Sequence, residues 1–378
     1  MTARGRALAI LTGLVVFVAG WVGFVSKWSG PAGAGRWGRG AGVAGARAAE
    51  LDVFRNQLVI WAPGGFSDRE VGRVRDSTRV AAISAVRTGT LPGSSGRSGY
   101  RVVPLDTMAV DTNAYTTAAG RPGRKLATML PKGAVMSKTG AKLRRVKVGG
   151  RLRLAGHRGL RVSGVVDDAV LGGYEVALER AVGRRYNLQR AAYLLVRPRG
   201  PLDDFQAEMR KLLKGRAVRF VTPGDRPFVR GGNGVLPLSQ VKARFGEFAV
   251  RGLTQGRPDP AWTRANIVSR RLPVLGRVRC HKLVIVDLAK AMDDLQRQGL
   301  RGQIDVGDFR RRGGCWTPRL LRDPRTGRLS RHAWGIAVAI KVTGDERLVQ
   351  TMAQHGFVWG GGFAHPNGTY FEWVGRGA

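Results

Sequence analysis

The sequence predicts an α+β protein in three parts: an N-terminal transmembrane helix, a mixed α+β middle module and a C-terminal α+β domain. Three observations lead there. One uncharged apolar run stands near the amino terminus; short β-type runs broken by Gly and Pro fill residues 51–230 around one amphipathic helix; and beyond residue 237 helical periodicity alternates with short strand-like pieces. The chain has 378 residues, 43% of them hydrophobic, which at roughly 150 residues per domain leaves room for about two cores. A wholly disordered basic chain is excluded, because such chains lack the apolar side chains that offset ordering entropy.

The first part is set by residues 7–25, ALAILTGLVVFVAGWVGFV, 19 consecutive uncharged positions preceded by Arg4 and Arg6. As a helix they are about 28 Å long, close to the hydrocarbon thickness of a bilayer, and longer than the usual signal-peptide core. The run predicts an uncleaved signal anchor over residues 1–28, single-pass in the cell membrane with the bulk of the chain extracytoplasmic. Ala44, Ala46 and Ala48 leave cleavage open, and Lys27, Arg36 and Arg39 balance the positive charge on the other side. Residues 29–50, rich in Gly, Ala and Arg, read as a flexible linker.

The middle module spans residues 51–232. Strand-like text recurs at residues 58–61, 101–103, 152–154, 160–162, 165–166 and 193–196. Pro201 opens a helix in which Asp203 and Asp204 suit the positive end of the dipole, while Leu202, Phe205, Met209 and Leu212 share a face before Gly215. A strand over 218–221 follows. The order VKVGGRLRLAG, LRVSGVVDD, AAYLLVRPRGPLDDFQAEMRKLL resembles the extracytoplasmic core domain of macrolide-exporter-type ABC permeases. That resemblance implies a module that contacts a protein partner, without transport activity of its own.

A Gly/Asn/Pro loop at 230–237 opens the C-terminal domain, residues 233–378. Asp259 and Pro260 begin an amphipathic segment with Trp262, Ile267 and Val268. A helix from about Asp287 carries Leu288, Ala291, Met292 and Leu295 before Gly299, and a shorter one runs from Asp345 to Gly356. Cys280 and Cys315, the only two cysteines, fit one disulfide formed outside the cytosol or, equally, two buried thiols. The adjacency of Cys280 and His281 lacks zinc-site spacing.

Two motifs carry chemistry. LSRHAWGIAVA, residues 329–339, looks like the first metal motif of the M15 family of D-alanyl-D-alanine carboxypeptidases and L-Ala-D-Glu peptidases, with pattern SxHxxGxAxD. GFVWGG, residues 356–361, then PNGTYFEW, residues 366–373, resembles the family's closing GFxWGG and PDxxHFEW. The likeness spans residues 236–374. It implies an M15 peptidase-like α+β domain with a zinc site, and a groove for a peptidoglycan peptide involving Ser330, Arg331, Trp334, Trp359 and Glu372.

This chain departs from the pattern where the chemistry lies. His332 stands at the first ligand position, but Ala339 replaces the Asp, Tyr370 the second His, and Asn367 the acidic base. A catalytic zinc needs about three protein ligands plus an open position for water. Ala offers no donor, a phenol is a poor substitute for imidazole, and Asn accepts no proton. The expectation is a pseudoenzyme with no cofactor, acting by binding. An active zinc peptidase with a non-standard ligand set, drawing on His365 or on His355, Asp345 or Glu372, is the alternative. Ser330 lacks any GxSxG or SxxK context for serine catalysis.

The charge is 64 Lys+Arg against 26 Asp+Glu, or +38, spread along the whole chain. A basic nucleic-acid-binding protein is the third function weighed. Zinc-finger spacing, an aromatic-basic RNA-binding signature and a basic region running into heptads are all missing, so nucleic acid is not the expected partner. The charge fits anionic wall polymer and lipid headgroups instead.

Overall fold

The computed structural model describes residues 57–95, 99, 101–221, 235–254, 256–320, 328–342, 346–363 and 367–375. It is mixed α+β. The transmembrane element of the expected fold class is corrected: no helix among the described residues is long and apolar enough to cross a membrane. The run at 7–25 and the linker at 29–50 lie outside the described residues.

Nine strands form the first sheet: β1 (Leu58–Phe66), β2 (Val80–Ser94), β3 (Val102–Val110), β4 (Ala134–Ser137), β5 (Arg151–Leu154), β6 (His157–Val166), β7 (Val176–Glu179), β8 (Ala191–Pro198) and β9 (Arg219–Val221). Their order is β3-β7-β4-β6-β5-β2-β8-β1-β9, and β2 also pairs with β3, which closes six strands into a ring. The 15-residue β2 makes both parts possible. Its first half lies along β8, from Val80↔Pro198 onward, and its second half along β3, from Arg87↔Ala109 to Ser94↔Val102. The ring meets itself between β2 and β5 at one register pair, Gly93↔Leu154, where the Ala155 N–H also donates to the Pro92 carbonyl. Leu91, Leu105, Met136, Leu152, Val162 and Leu178 belong to a single buried cluster among the ring strands.

Six helices accompany this sheet: α1 (Asp68–Arg75), α2 (Thr112–Ala119), α3 (Arg121–Ala127), α4 (Lys138–Arg144), α5 (Arg180–Arg185) and α6 (Leu202–Leu212). Only α6 shows in the apolar periodicity of the sequence. It buries Phe205 and Met209, each worth about 1.5–3 kcal/mol, in a cluster with Ile60 and Leu194. Three of the short helices are held by side-chain caps: Ser67 and Glu70 form a reciprocal capping box on α1, Asp111 caps α2 and Ser137 caps α4. The two strand-like runs at 160–162 and 165–166 are one strand, β6.

The C-terminal elements are α7 (Leu238–Phe245), α8 (Pro260–Asn266), β10 (Ile267–Leu272), β11 (Gly276–His281), α9 (Ile285–Arg297), α10 (Val306–Arg311), β12 (Ala337–Val338), α11 (Glu346–Gln354), β13 (Phe357–Trp359) and β14 (Phe371–Trp373). The amphipathic segment expected from Asp259 splits: Asp259 caps α8, and Ile267 and Val268 already belong to β10. Asp345, read as the start of the last helix, lies outside the described residues. Helices α9 and α11 pack Leu288, Met292, Leu295, Leu348 and Met352 into a core shared with Trp334 and Phe357.

Charged groups bridge these elements to the nine-stranded sheet. The Lys242 ammonium on α7 donates to both carboxylate oxygens of Glu175, at 2.8 and 2.9 Å, with side-chain exposures of 1% and 0%. Burial lowers the Lys242 pKa to about 8 against the pull of Glu175. Arg144 pairs with Glu247, Ser239 donates to Asp168 at 3.2 Å, and Val102 forms a β-bridge with Val250.

Candidate functional site: the His332 pocket

The two motifs meet in a three-stranded sheet of order β12-β14-β13. Ala337 pairs with Glu372 and Val338 with Phe371, while Phe357 and Trp359 pair with Trp373 and Phe371 across the other edge of β14. Segments some thirty residues apart in sequence thus form one small, largely buried sheet, with the His332 turn leading into β12.

Ser330 caps that turn, its hydroxyl accepting from the His332 N–H at 3.3 Å. Gly335 ends it with φ 66°, and a Cβ there would sit 2.7 Å from the His281 nitrogen. Glycine is required on both counts. His332 is 1% exposed. Its Nδ1 lies 3.0 Å from the Cys315 carbonyl oxygen, an acceptor only, so the proton sits on Nδ1 and Nε2 carries a bare lone pair. Nε2 is buried without a hydrogen-bond partner among the described residues. Burial, with the nearby Arg319 charge, lowers the ring pKa to about 4. Cys315 is joined to Cys280 in a disulfide, so the carbonyl that orients His332 is anchored to β11.

The Tyr370 ring stands edge-on to His332 with centroids 5.9 Å apart. Its hydroxyl donates to Glu372 Oε2 at 3.2 Å, and burial together with that carboxylate raises its pKa well above the ordinary value. Glu372 is fully buried and also accepts from the Val235 and Leu236 N–H groups, each at 3.2 Å, with Arg331 Nε 3.6 Å away. Burial raises its pKa, and Arg331 and the two amides oppose the rise. Glu372 and Arg331 therefore tie the 235–236 segment to β14, an internal role. Arg331 also donates to the Leu236 carbonyl at 2.7 Å.

The other expected residues separate into frame and surface. Trp334 is core: it is buried, donates to the Gly246 carbonyl and lies 4.5 Å from the Phe248 ring. Trp359 is half-buried, its indole N–H donating to the Gly368 carbonyl. Asn367 is exposed, and its Oδ1 accepts from both the N–H and the hydroxyl of Thr369. Ala339 is buried, and Ala337, two residues before it, packs with Phe363 and Tyr370. His355 faces Asp294 at 2.6 Å instead of His332, and His365 lies outside the described residues.

These groups do not fit a catalytic zinc. His332 alone has the tautomer and carbonyl support of a metal-binding imidazole. Ala339 has no donor, the neutral Tyr370 phenol is engaged with Glu372, and Asn367 closes on its own turn. Among the described residues no group of three His, Cys, Asp or Glu side chains could hold a metal ion. The peptidase description drawn from the sequence is corrected to this extent: no catalytic-zinc ligand set is assembled among the described residues.

No family model matches the chain, and no curated protein matches it. Solved structures do. The periplasmic region of MacB from Actinobacillus actinomycetemcomitans is 12% identical, covering 48% of this chain and 94% of that one with a TM-score of 0.33. The extracellular domain of the ABC-type transporter YknZ from Gram-positive bacteria is 12% identical, covering 44% of this chain and 100% of that one with a TM-score of 0.31.

Sequence reasoning missed two buried features beside the motifs. The Cys315 carbonyl orients His332, and a backbone group leaves no trace in residue type. His281, 1% exposed, donates from Nε2 to the Phe245 carbonyl at 3.2 Å and accepts the Leu283 N–H on Nδ1; burial lowers its pKa to about 4. Its place directly after Cys280 was the one available signal.

Proposed function

We propose that the protein works outside the cytoplasm, at the cell envelope, as a binding protein with the groove frame of the M15 motifs and without zinc catalysis. Residues 233–378 form the domain that holds a peptidoglycan peptide or an anionic wall polymer, and residues 51–232 form a module that engages a protein partner. One observation carries the proposal: β12, β13 and β14 keep the two motifs in register around an oriented His332, while the positions of the other donors hold Ala339, Tyr370 and Asn367. The disulfide supports an oxidising compartment.

The lone pair on His332 Nε2 favours a second reading, a zinc peptidase with a different ligand set. Metal analysis of the purified full chain, with sacculus co-sedimentation and a stem-peptide cleavage assay, separates the two. The binding reading expects no stoichiometric zinc, no cleavage, and sacculus binding that weakens in Trp359→Ala. One zinc per chain, lost in His332→Ala together with peptide cleavage, would overturn it.

A further inference from the structure

The β10–β11 hairpin exposes β10 from Val268 to Arg271 and alternates between exposed and buried positions along β11 up to the buried Cys280 and His281. Val278, Cys280 and Leu272 point inward, whereas Ser269, Arg271, Arg277 and Arg279 are exposed. The register puts Arg271 directly opposite Arg277 and Ser269 opposite Arg279. Residues two apart on a strand share a face, so the three arginines project from one side of the hairpin, with the Cα atoms of Arg277 and Arg279 about 6.8 Å apart along β11. Like charges placed across a ladder repel. Among the described residues no carboxylate pairs with any of the three. The acidic side chains near this end are taken elsewhere, Asp305 by Arg311 and Asp308 by Arg311 and Arg312. The Arg279 guanidinium carbon lies 4.1 Å from the centroid of the Trp316 ring, a cation–π contact that restrains this side chain.

We infer that this hairpin face is the docking surface for a flexible phosphodiester polymer, a polyol-phosphate chain of the kind that carries one anion per repeat. The occupant follows from charge complementarity: a row of unneutralised guanidiniums selects a ligand with repeated oxyanions, and a planar fork binds phosphate in two-point fashion. The inference rests on the envelope reading above and names the polymer and the surface that reading leaves unspecified.

The test uses the full chain with fluorescently labelled poly(glycerol phosphate), read by anisotropy between 50 and 200 mM salt. With about 0.7 in log-log salt slope for each phosphate contact, three guanidiniums give a loss of about 20-fold over that range; Arg271→Gln with Arg277→Gln leaves about threefold. Arg151→Gln with Arg161→Gln removes the same charge from another exposed cross-strand arginine pair and leaves the slope unchanged. Equal losses in the two double variants would mean that net charge alone binds the polymer, and would overturn the inference. So would hairpin-dependent binding of anionic vesicles or duplex DNA with no such dependence for the polymer. The hairpin positions are exposed, and thermal melting of the variant at or above wild type verifies its fold. Zinc content, and binding to sacculi stripped of their phosphate polymer, are read without the polymer, so failure here is distinguishable from failure of the envelope reading.

Discussion

His332→Asn isolates what the buried imidazole does to stability. The asparagine amide can replace Nδ1–H as donor to the Cys315 carbonyl, but it does not titrate. The native ring has a pKa of about 4 against 6.5 for an open one. Below pH 6.5 the unfolded chain takes up a proton that the folded chain refuses, so the stability present above pH 6.5 is lost as pH falls towards 4. At pH 4.5 this linkage amounts to about 2.5 kcal/mol from His332 alone. Filling a ring-shaped site with the smaller Asn costs about 1–3 kcal/mol at pH 7. The variant is therefore less stable than wild type at pH 7, and the gap narrows by about 2.5 kcal/mol by pH 4.5. Urea unfolding followed by tryptophan fluorescence at pH 7, 6, 5 and 4.5 measures it. His281 titrates in both proteins and cancels in the difference. Parallel curves across this range would refute the neutral, buried imidazole and with it the assigned tautomer.

The disulfide and the buried ion pair give two more expectations. Removing the Cys280–Cys315 link, which closes a separation of 35 residues, costs about 4 kcal/mol in the chain-entropy account; Cys280→Ser with Cys315→Ser measured in urea within 1 kcal/mol of wild type contradicts that. Lys242→Met leaves Glu175 buried without its cation and costs about 3–5 kcal/mol, whereas Lys242→Met with Glu175→Leu recovers most of the loss, because a paired removal leaves no lone charge. A double variant as unstable as the single one counts against the pair as an isolated electrostatic unit.

How much was legible depends on whether a feature is written in residue type or in contact. The helix α6 was readable because Phe205 and Met209 recur on an otherwise charged cylinder, and α9 for the same reason. The helices α1 to α5 were not, since six to eight residues give barely two turns of periodicity; α1, α2 and α4 are fixed by side-chain caps, and α3 and α5 have none. The long β2 was also missed: buried along most of its length, it shows no alternation. At the site, His332, Tyr370 and Glu372 were named from their motifs, and the structure brings them together. Ser330 and Arg331 were read as groove residues, but one is a helix cap and the other a partner of buried Glu372. The capping role follows from backbone geometry and the pairing from a fold that joins residues 41 apart, neither visible in a linear pattern.

The ring of six strands closes on itself through Gly93↔Leu154 and one flanking N–H to carbonyl bond. Backbone bonding at that junction is worth about 1 kcal/mol per bond, less than the roughly 2 kcal/mol that each of buried Leu152 and Leu154 gains from leaving water. Closure is therefore fastened by grease and not by ladder. The last seam of the ring, between β5 and β2, is thus an apolar contact made by two leucine side chains, while β6 on the other side of the hairpin is held to β4 by a parallel ladder.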